Sequence, residues 1–324
     1  MAKTILPDPR RSPRFSGLCT FGRYPRLEDV APEGRPVDWV IYGVPFDGGV
    51  TYRPGTRFGP RAIRDASQYL KRFHVEHNVD VCEVLSLADA GDAPILPFDI
   101  RATLDSVADF AADLGDEHSR LFAIGGDHSI AYANLRATYT RSGEPAHGLA
   151  VIHFDSHLDT VDSVWGERYS HASPFRRAIE EGFIDPKRML SIGVKGPLNS
   201  SSDLDFARQS GVHLVMRDDL RRIGAPGLSR IKDFLATINK DPVYITFDID
   251  VCDPAFAPGT GTPSIGGLAS VEALELLRMF RGVNVVGGDL VEVLPDMDPS
   301  GITSMLAAHI IFEIIALDAA ARSL

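Results

Sequence analysis

Apolar and polar positions divide the chain into two alternating kinds of segment. Short runs rich in Val, Ile, Leu and aromatic residues recur, each followed by a polar or glycine-containing loop and then a stretch with helical periodicity. The runs predict strands at Trp39–Val44, Val84–Ala88, Leu121–Ile124, Leu149–Phe154, Met189–Val194, Val212–Val215, Val243–Phe247 and Val283–Val286. Helices are predicted over Pro60–Phe73, Ile100–His118, Ile130–Tyr139, Pro174–Glu181, Asp218–Ile238, Ser270–Phe280 and Ile302–Ala321. Pro60 falls in the first turn of its helix, where its missing N–H costs little. Several strand runs are apolar at almost every position, the pattern of strands covered by helices on both faces. The expectation is one α/β domain over residues 37–324, three-layered α/β/α with an eight-stranded, mostly parallel sheet, preceded by an irregular, proline- and arginine-rich arm over residues 1–36. In such open sheets the ligand site lies beyond the carboxyl ends of the strands, and the polar motifs described next all fall there.

Composition narrows the classes of partner. The 33 basic and 44 acidic residues give a net charge of −11, which repels nucleic acid and anionic lipid and suits a cationic substrate. Arg10, Arg11, Arg14, Arg23 and Arg26 form the densest basic stretch, but it is sparse and broken by proline, so a solvated arm is expected rather than a binding patch. Cys19, Cys82 and Cys252 are too few and too scattered for a disulfide framework or a thiolate metal site. An apolar signal core is not evident, nor is a run of about 18 apolar residues that could span a bilayer. A soluble chain in a reducing, cytoplasmic setting is the expectation.

The chemistry concentrates at four strand ends. Leu121–Ile124 runs into Gly125-Gly126-Asp127-His128-Ser129, which places His128 after two glycines that permit a tight turn. Leu149–Phe154 ends in Asp155-Ser156-His157-Leu158-Asp159, where Asp155, His157 and Asp159 alternate and face one side if the extended backbone persists. Two carboxylates and an imidazole together suit a divalent ion, and such a trio is costly after an apolar strand unless it is paired or metal-bound. His153, read as facing the other side, is assigned a structural, supporting role. Val243–Phe247 ends in Asp248-Ile249-Asp250, a second acidic pair, so carboxylates for two metals come from separate strands. Asp253, before a proline, is expected to shape the turn. Val283–Val286 leads into Gly287-Gly288-Asp289-Leu290-Val291-Glu292, where a buried Glu292 requires a cationic partner, either a Lys or Arg of the fold or the guanidinium of a substrate. His171 lies in a loop before a helix, the usual setting of a surface histidine, yet beside a metal centre an imidazole could shuttle a proton.

Taken together, the segments GGDHS, DSHLD, HASPFRRAIEEG, ITFDIDVCDPAFAPGTGTP and GGDLVEV resemble the ureohydrolase (arginase/agmatinase) family in content, order and spacing, closest to its agmatinase branch. The likeness begins near Val40 and includes Val44-Pro45-Phe46-Asp47-Gly48-Gly49 and Arg53-Pro54-Gly55-Thr56-Arg57-Phe58-Gly59-Pro60. It implies an arginase-like fold and two divalent metal ions, Mn2+ by preference and Ni2+ in some relatives. By the same resemblance, His128, Asp155, Asp159 and Asp248 hold one ion, and His157, Asp155, Asp248 and Asp250 the other. A hydroxide between the ions attacks the guanidino carbon, with Asp159 orienting it. Glu292 falls on the guanidinium-holding carboxylate and His171 on the proton-shuttling histidine. A trimeric or hexameric assembly is also implied.

Departures from the family pattern bear on the substrate. Val161 stands where arginases carry the asparagine that binds an amino-acid carboxylate, which argues against arginase itself. Ser156, Ala172 and Ser264 replace residues common in agmatinase-like sequences, and the last two, with Trp165 and Gly196-Pro197-Leu198-Asn199, are candidates for shaping the pocket. The reading is an amidinohydrolase releasing urea from agmatine or a guanidino acid such as guanidinobutyrate. Three alternatives stay open: a guanidine or biguanide hydrolase using nickel, a formiminoglutamate hydrolase, and a non-catalytic scaffold subunit of a mixed oligomer.

Overall fold

The computed structural model describes residues 3–221, 224–238 and 240–323. Its strands are β1 (Trp39–Val44), β2 (Phe73–His74), β3 (Val79–Asp80), β4 (Leu87–Asp92), β5 (Arg120–Gly125), β6 (Leu149–Phe154), β7 (Ile184–Ile192), β8 (His213–Val215), β9 (Pro242–Asp248) and β10 (Asn284–Val291). Eight of them form a single parallel sheet in the order β4-β1-β5-β10-β9-β6-β7-β8, while β2 and β3 pair as a small antiparallel hairpin.

Helices α1 (Gly59–Ser67), α2 (Val81–Val84), α3 (Ile100–Ala112), α4 (Ile130–Arg141), α5 (Pro174–Glu180), α6 (Asp205–Ser210), α7 (Arg217–Arg221), α8 (Pro226–Ile238), α9 (Ser270–Arg278) and α10 (Ile302–Arg322) connect the strands. Alternate strand residues enter different cores. Trp39 and Ile41 of β1 pack in the layer that contains α10, and Val40, Tyr42 and Val44 in the layer that contains α3 and α4. Both faces are thus covered, which is why the strand runs read as continuously apolar.

The expected eight-strand, three-layer architecture is present, with shifted boundaries. The run at Val84–Ala88 is split: Asp80 caps α2 by accepting from Glu83 N–H, and β4 begins only at Leu87. It then continues through Asp89, whose carboxylate is buried because Arg64 bonds it from Nε at 2.9 Å. α1 stops at Ser67, before the hairpin, and α3 at Ala112, three residues before Gly115 turns left-handed at φ +72°. The helix expected over Asp218–Ile238 is two helices, α7 and α8; residues 222 and 223 between them lie outside the described ones.

Two further expectations are corrected. The arm is docked rather than solvated: Phe21 is fully buried, its N–H donates to Asp89 at 2.7 Å, and Arg14 Nη1 donates to Leu70 O at 2.7 Å. Moreover, α10, at 21 residues, is long and apolar enough to cross a membrane, although no such run was anticipated. Its apolar stretch is 83% buried inside the fold, however, and forms the centre of one core layer.

Candidate metal centre

Sheet order assembles the site. Chain neighbours β5 and β6 are separated by β10 and β9, so the carboxyl ends of four adjacent strands present His128, Glu292, Asp248 and Asp155 side by side. Gly126 is required where it stands, because a Cβ there would run into the carbonyl of Phe46. That close approach lets Asp127 N–H donate to Phe46 O at 2.9 Å and turns His128 inward.

His128 is fully buried, and three carboxylate oxygens face its Nδ1: Asp159 Oδ2 at 2.9 Å, Asp155 Oδ2 at 3.1 Å and Asp248 Oδ2 at 3.3 Å. None makes a hydrogen bond to that nitrogen, so four ligand atoms point at one another with no partner to satisfy the ring. A second group lies alongside: His157 Nδ1 is 3.3 Å from Asp155 Oδ1 and 3.2 Å from Asp250 Oδ2. Asp155 therefore gives one oxygen to each group. Asp248 stands in the first group only, its Oδ1 accepting from Asp250 N–H at 2.8 Å. This donor set of carboxylates and imidazoles fits two divalent cations.

The six candidate ligands meet, but not by the expected route. The backbone leaves the extended form after Phe154, and Asp159 adopts a left-handed φ of +52°. It is this loop, rather than strand alternation, that returns Asp159 to Asp155. Glu292 is also left-handed, at φ +64°. Such backbone in non-glycine residues costs of order 1–3 kcal/mol and concentrates at functional sites.

Supporting bonds fix the ligands. His128 Nε2 lies 2.9 Å from Thr246 Oγ1, which in turn donates to Asp289 Oδ1 at 2.6 Å. With Thr246 accepting, the proton sits on Nε2 and the lone pair on Nδ1 faces the carboxylates. Tyr244 also donates to Asp289, and Asn134 to Tyr244 at 2.6 Å. His153, expected on the opposite side of the chain from Asp155, instead shares its side two residues earlier: it bonds Asp155 Oδ2 at 2.9 Å through Nε2 and Ser191 Oγ at 3.1 Å through Nδ1, and so supports that ligand. Thr246 and Asp289 were not anticipated, yet Thr246 precedes Asp248 by two and so shares its strand face.

Electrostatics follow from crowding. Burial raises the Asp248 carboxyl well above its ordinary range, and repulsion from Asp250 and Asp155 adds to it. Burial would raise Asp155 too, but the imidazoles of His128, His153 and His157 crowded around it hold it well below. His128 and His157 are both raised, because the carboxylates outweigh the burial that opposes charge on the rings. Positive charge is what these acids require, and a divalent cation supplies it more compactly than protons do.

His171 is buried rather than on the surface. Its Nδ1 is 2.9 Å from Glu292 Oε1, and its Nε2 is 3.0 Å from Thr51 N and 2.7 Å from Thr51 Oγ1. Burial disfavours the imidazolium, but the adjacent Glu292 carboxylate prevails and lifts the pKa to about 9. The Thr51 N–H aimed at Nε2 favours a neutral ring; a full charge outweighs that partial one, so the direction is upward. Glu292 has no Lys or Arg ion pair among the described residues. Its Oε1 also accepts from His128 N–H at 2.9 Å, while Oε2 is buried without a hydrogen-bond partner.

Of the residues expected to shape the pocket, Ala172 ties its loop to Val161, accepting from Val161 N–H at 2.9 Å. Ser264 packs against Gly196. Trp165 is 86% exposed and lies in solvent. Asp253 shapes its turn as expected, accepting from Ala255 N–H at 3.0 Å and Gly266 N–H at 2.7 Å. Cys19, Cys82 and Cys252 are unpaired thiols.

Comparison with known proteins agrees with this geometry. The profile of the arginase family matches residues 37–316. Proclavaminate amidinohydrolase of Streptomyces clavuligerus is 41% identical over 308 residues, 95% of each chain. Its solved structure superposes with a TM-score of 0.86 at 40% identity, over 96% of this chain and 100% of that one. Guanidinopropionase of Pseudomonas aeruginosa is 37% identical over 98% of this chain and 97% of its own. Formiminoglutamase of Trypanosoma cruzi, solved with Mn2+, matches with a TM-score of 0.77 at 26% identity, over 91% of this chain and 98% of that one. By sequence, fold and the donor set at its strand ends, this chain belongs to the arginase family.

Proposed function

We propose that the chain is a hydrolase that uses two divalent cations to cleave the guanidino group of a small compound with water, yielding urea and an amine. The observation that carries the reading is the unpartnered Nδ1 of His128 facing three carboxylate oxygens at 2.9–3.3 Å. His128, Asp155, Asp159 and Asp248 would hold one ion; His157, Asp155 and Asp250, with Asp248 beside them, the other. When bound, the ions supply water whose pKa is lowered from about 15.7 toward 7.

The remaining steps belong to side chains. Glu292 Oε2, buried and free to accept, takes an N–H of the incoming guanidinium and orients its carbon toward the carboxylate cluster. His171, held by the same glutamate, carries the proton that the departing amine requires. Asp159, at the edge of the first group, accepts a hydrogen bond from the attacking water. The relatives named guanidinopropionase and proclavaminate amidinohydrolase support a guanidino acid as substrate. Mn2+ is the preferred ion, supported by the Trypanosoma cruzi relative, with Ni2+ as the alternative. A cytoplasmic trimer or hexamer, with a catalytic domain over residues 37–324 and an arm over 1–36, completes the proposal.

Urea release tests it directly, with Mn2+- and Ni2+-loaded protein against agmatine, 4-guanidinobutyrate, 3-guanidinopropionate, arginine, guanidine and alkylated biguanides. Turnover of a guanidino acid is expected. Turnover of guanidine or a biguanide alone would move the substrate class, and silence with both metals would refute catalysis by the isolated chain.

A further inference from the structure

The second ligand group is the more open of the two: the His157 side chain is 40% exposed, whereas His128 is fully enclosed. Asp250, its carboxylate ligand, does not lie on a strand. It sits in the one-turn 3₁₀ segment Ile249–Val251, whose last carbonyls lack partners within so short a turn. Leu268 N–H caps Val251 O at 2.9 Å, and two further residues outside the ligand set hold the Asp250 end of the turn.

Ser156 grips Asp250 from both ends. Its N–H donates to Asp250 Oδ1 at 3.2 Å, and its hydroxyl donates to Asp250 O at 2.7 Å. Lys195, in the loop after β7, donates from Nζ to Ser156 Oγ, to Asp250 O at 3.0 Å and to Val251 O at 3.4 Å. Those three acceptors use all three ammonium protons. The Lys195 backbone N–H also donates to Ser156 O at 3.1 Å, so the two loops are tied by main chain and side chain together. Asp250 Oδ2 is left facing His157 Nδ1 at 3.2 Å, steadied by Thr262 Oγ1 at 3.2 Å.

We propose that Lys195 is a positioning residue for the outer ion: through Ser156 and the carbonyls of Asp250 and Val251 it holds the Ile249–Val251 turn so that Asp250 meets His157, and thereby sets the affinity of the second cation without touching it. The inference rests on the two-cation reading of the site. Removing groups that orient a ligand typically weakens metal affinity about 10–100-fold. The outer ion is expected to suffer first, because Asp250 belongs to the outer group alone and Lys195 Nζ bonds none of His128, Asp155, Asp159 and Asp248.

The test is Mn2+ titration of the full chain, with metal content counted after dialysis against a weak chelator and electron paramagnetic resonance to separate paired from single ions. Wild type is expected to bind two ions and give the signal of a spin-coupled pair. Lys195→Met is expected to retain one ion, show the six-line signal of an isolated Mn2+, and bind the second about 10–100-fold more weakly. Lys195→Arg, which keeps donors toward the same carbonyls, is expected to retain the pair. Should Lys195→Met hold both ions as wild type does, or lose both together, the positioning role is overturned. Failure of wild type itself to bind two ions would instead overturn the two-cation reading, a distinguishable result.

Discussion

Replacing Thr246 with valine tests the buried relay beneath the inner ligands. The substitution keeps shape and β-branching and deletes one hydroxyl, which accepts from His128 Nε2 at 2.9 Å and donates to Asp289 Oδ1 at 2.6 Å, in fully buried surroundings. Two polar atoms lose their partner at once. A buried group left unpaired costs about 1–3 kcal/mol, so the two together predict a loss of about 2–6 kcal/mol. With an unfolding entropy of about 2.1 cal/mol/K per residue over 324 residues, that lowers the melting temperature of the metal-free protein by about 3–9 °C. His128 also loses the bond that holds its lone pair toward the carboxylates, and inner-ion affinity should fall about 10–100-fold. Thermal unfolding by circular dichroism and Mn2+ titration calorimetry measure the two effects. A variant within about 0.5 kcal/mol of wild type, with unchanged affinity, would refute the relay.

Other perturbations have separable outcomes. Asp155→Ala removes the one residue that gives an oxygen to both ligand groups; both ions should be lost, measured by metal analysis, and urea release should stop. His171→Ala should keep both ions and lose rate by about 10²–10⁴-fold, and metal loss there would instead make it a ligand. Glu313, held by His74 at 3.0 Å, His77 at 2.8 Å and Arg278 at 3.0 Å, has its pKa lowered by those three against the opposing effect of burial. A carboxylate depressed in the fold stabilises above its unfolded pKa of about 4.3, and that stability is lost as pH falls through the folded value. Glu313→Gln should therefore cost about 3–5 kcal/mol at pH 7, with the gap to wild type closing below about pH 4 in denaturant titrations. A gap independent of pH would count against the ionic account.

The sequence by itself determined the layer architecture and the chemistry of the strand ends. β1 and β6 match their apolar runs residue for residue, because a strand buried on both faces carries an unbroken hydrophobic signal. Acidic and imidazole residues directly after such runs stand out against them, so all six candidate ligands were legible, as were Glu292 and His171. Pairing order was not: whether β10 and β9 insert between β5 and β6 depends on contacts between residues more than 90 positions apart, about which local periodicity is silent. Nor could periodicity foresee the left-handed backbone at Asp159 and Glu292, where the tertiary frame imposes a conformation the residues do not favour. The same holds for polar residues buried through distant partners. Asp89 extends β4 only because Arg64 meets it, Phe21 draws the arm inward through that same aspartate, and Lys195 acquires its place only when the β7 loop closes over the Asp250 turn. Burial writes a pattern into the chain, whereas compensation between distant polar groups exists only once the fold has brought them together.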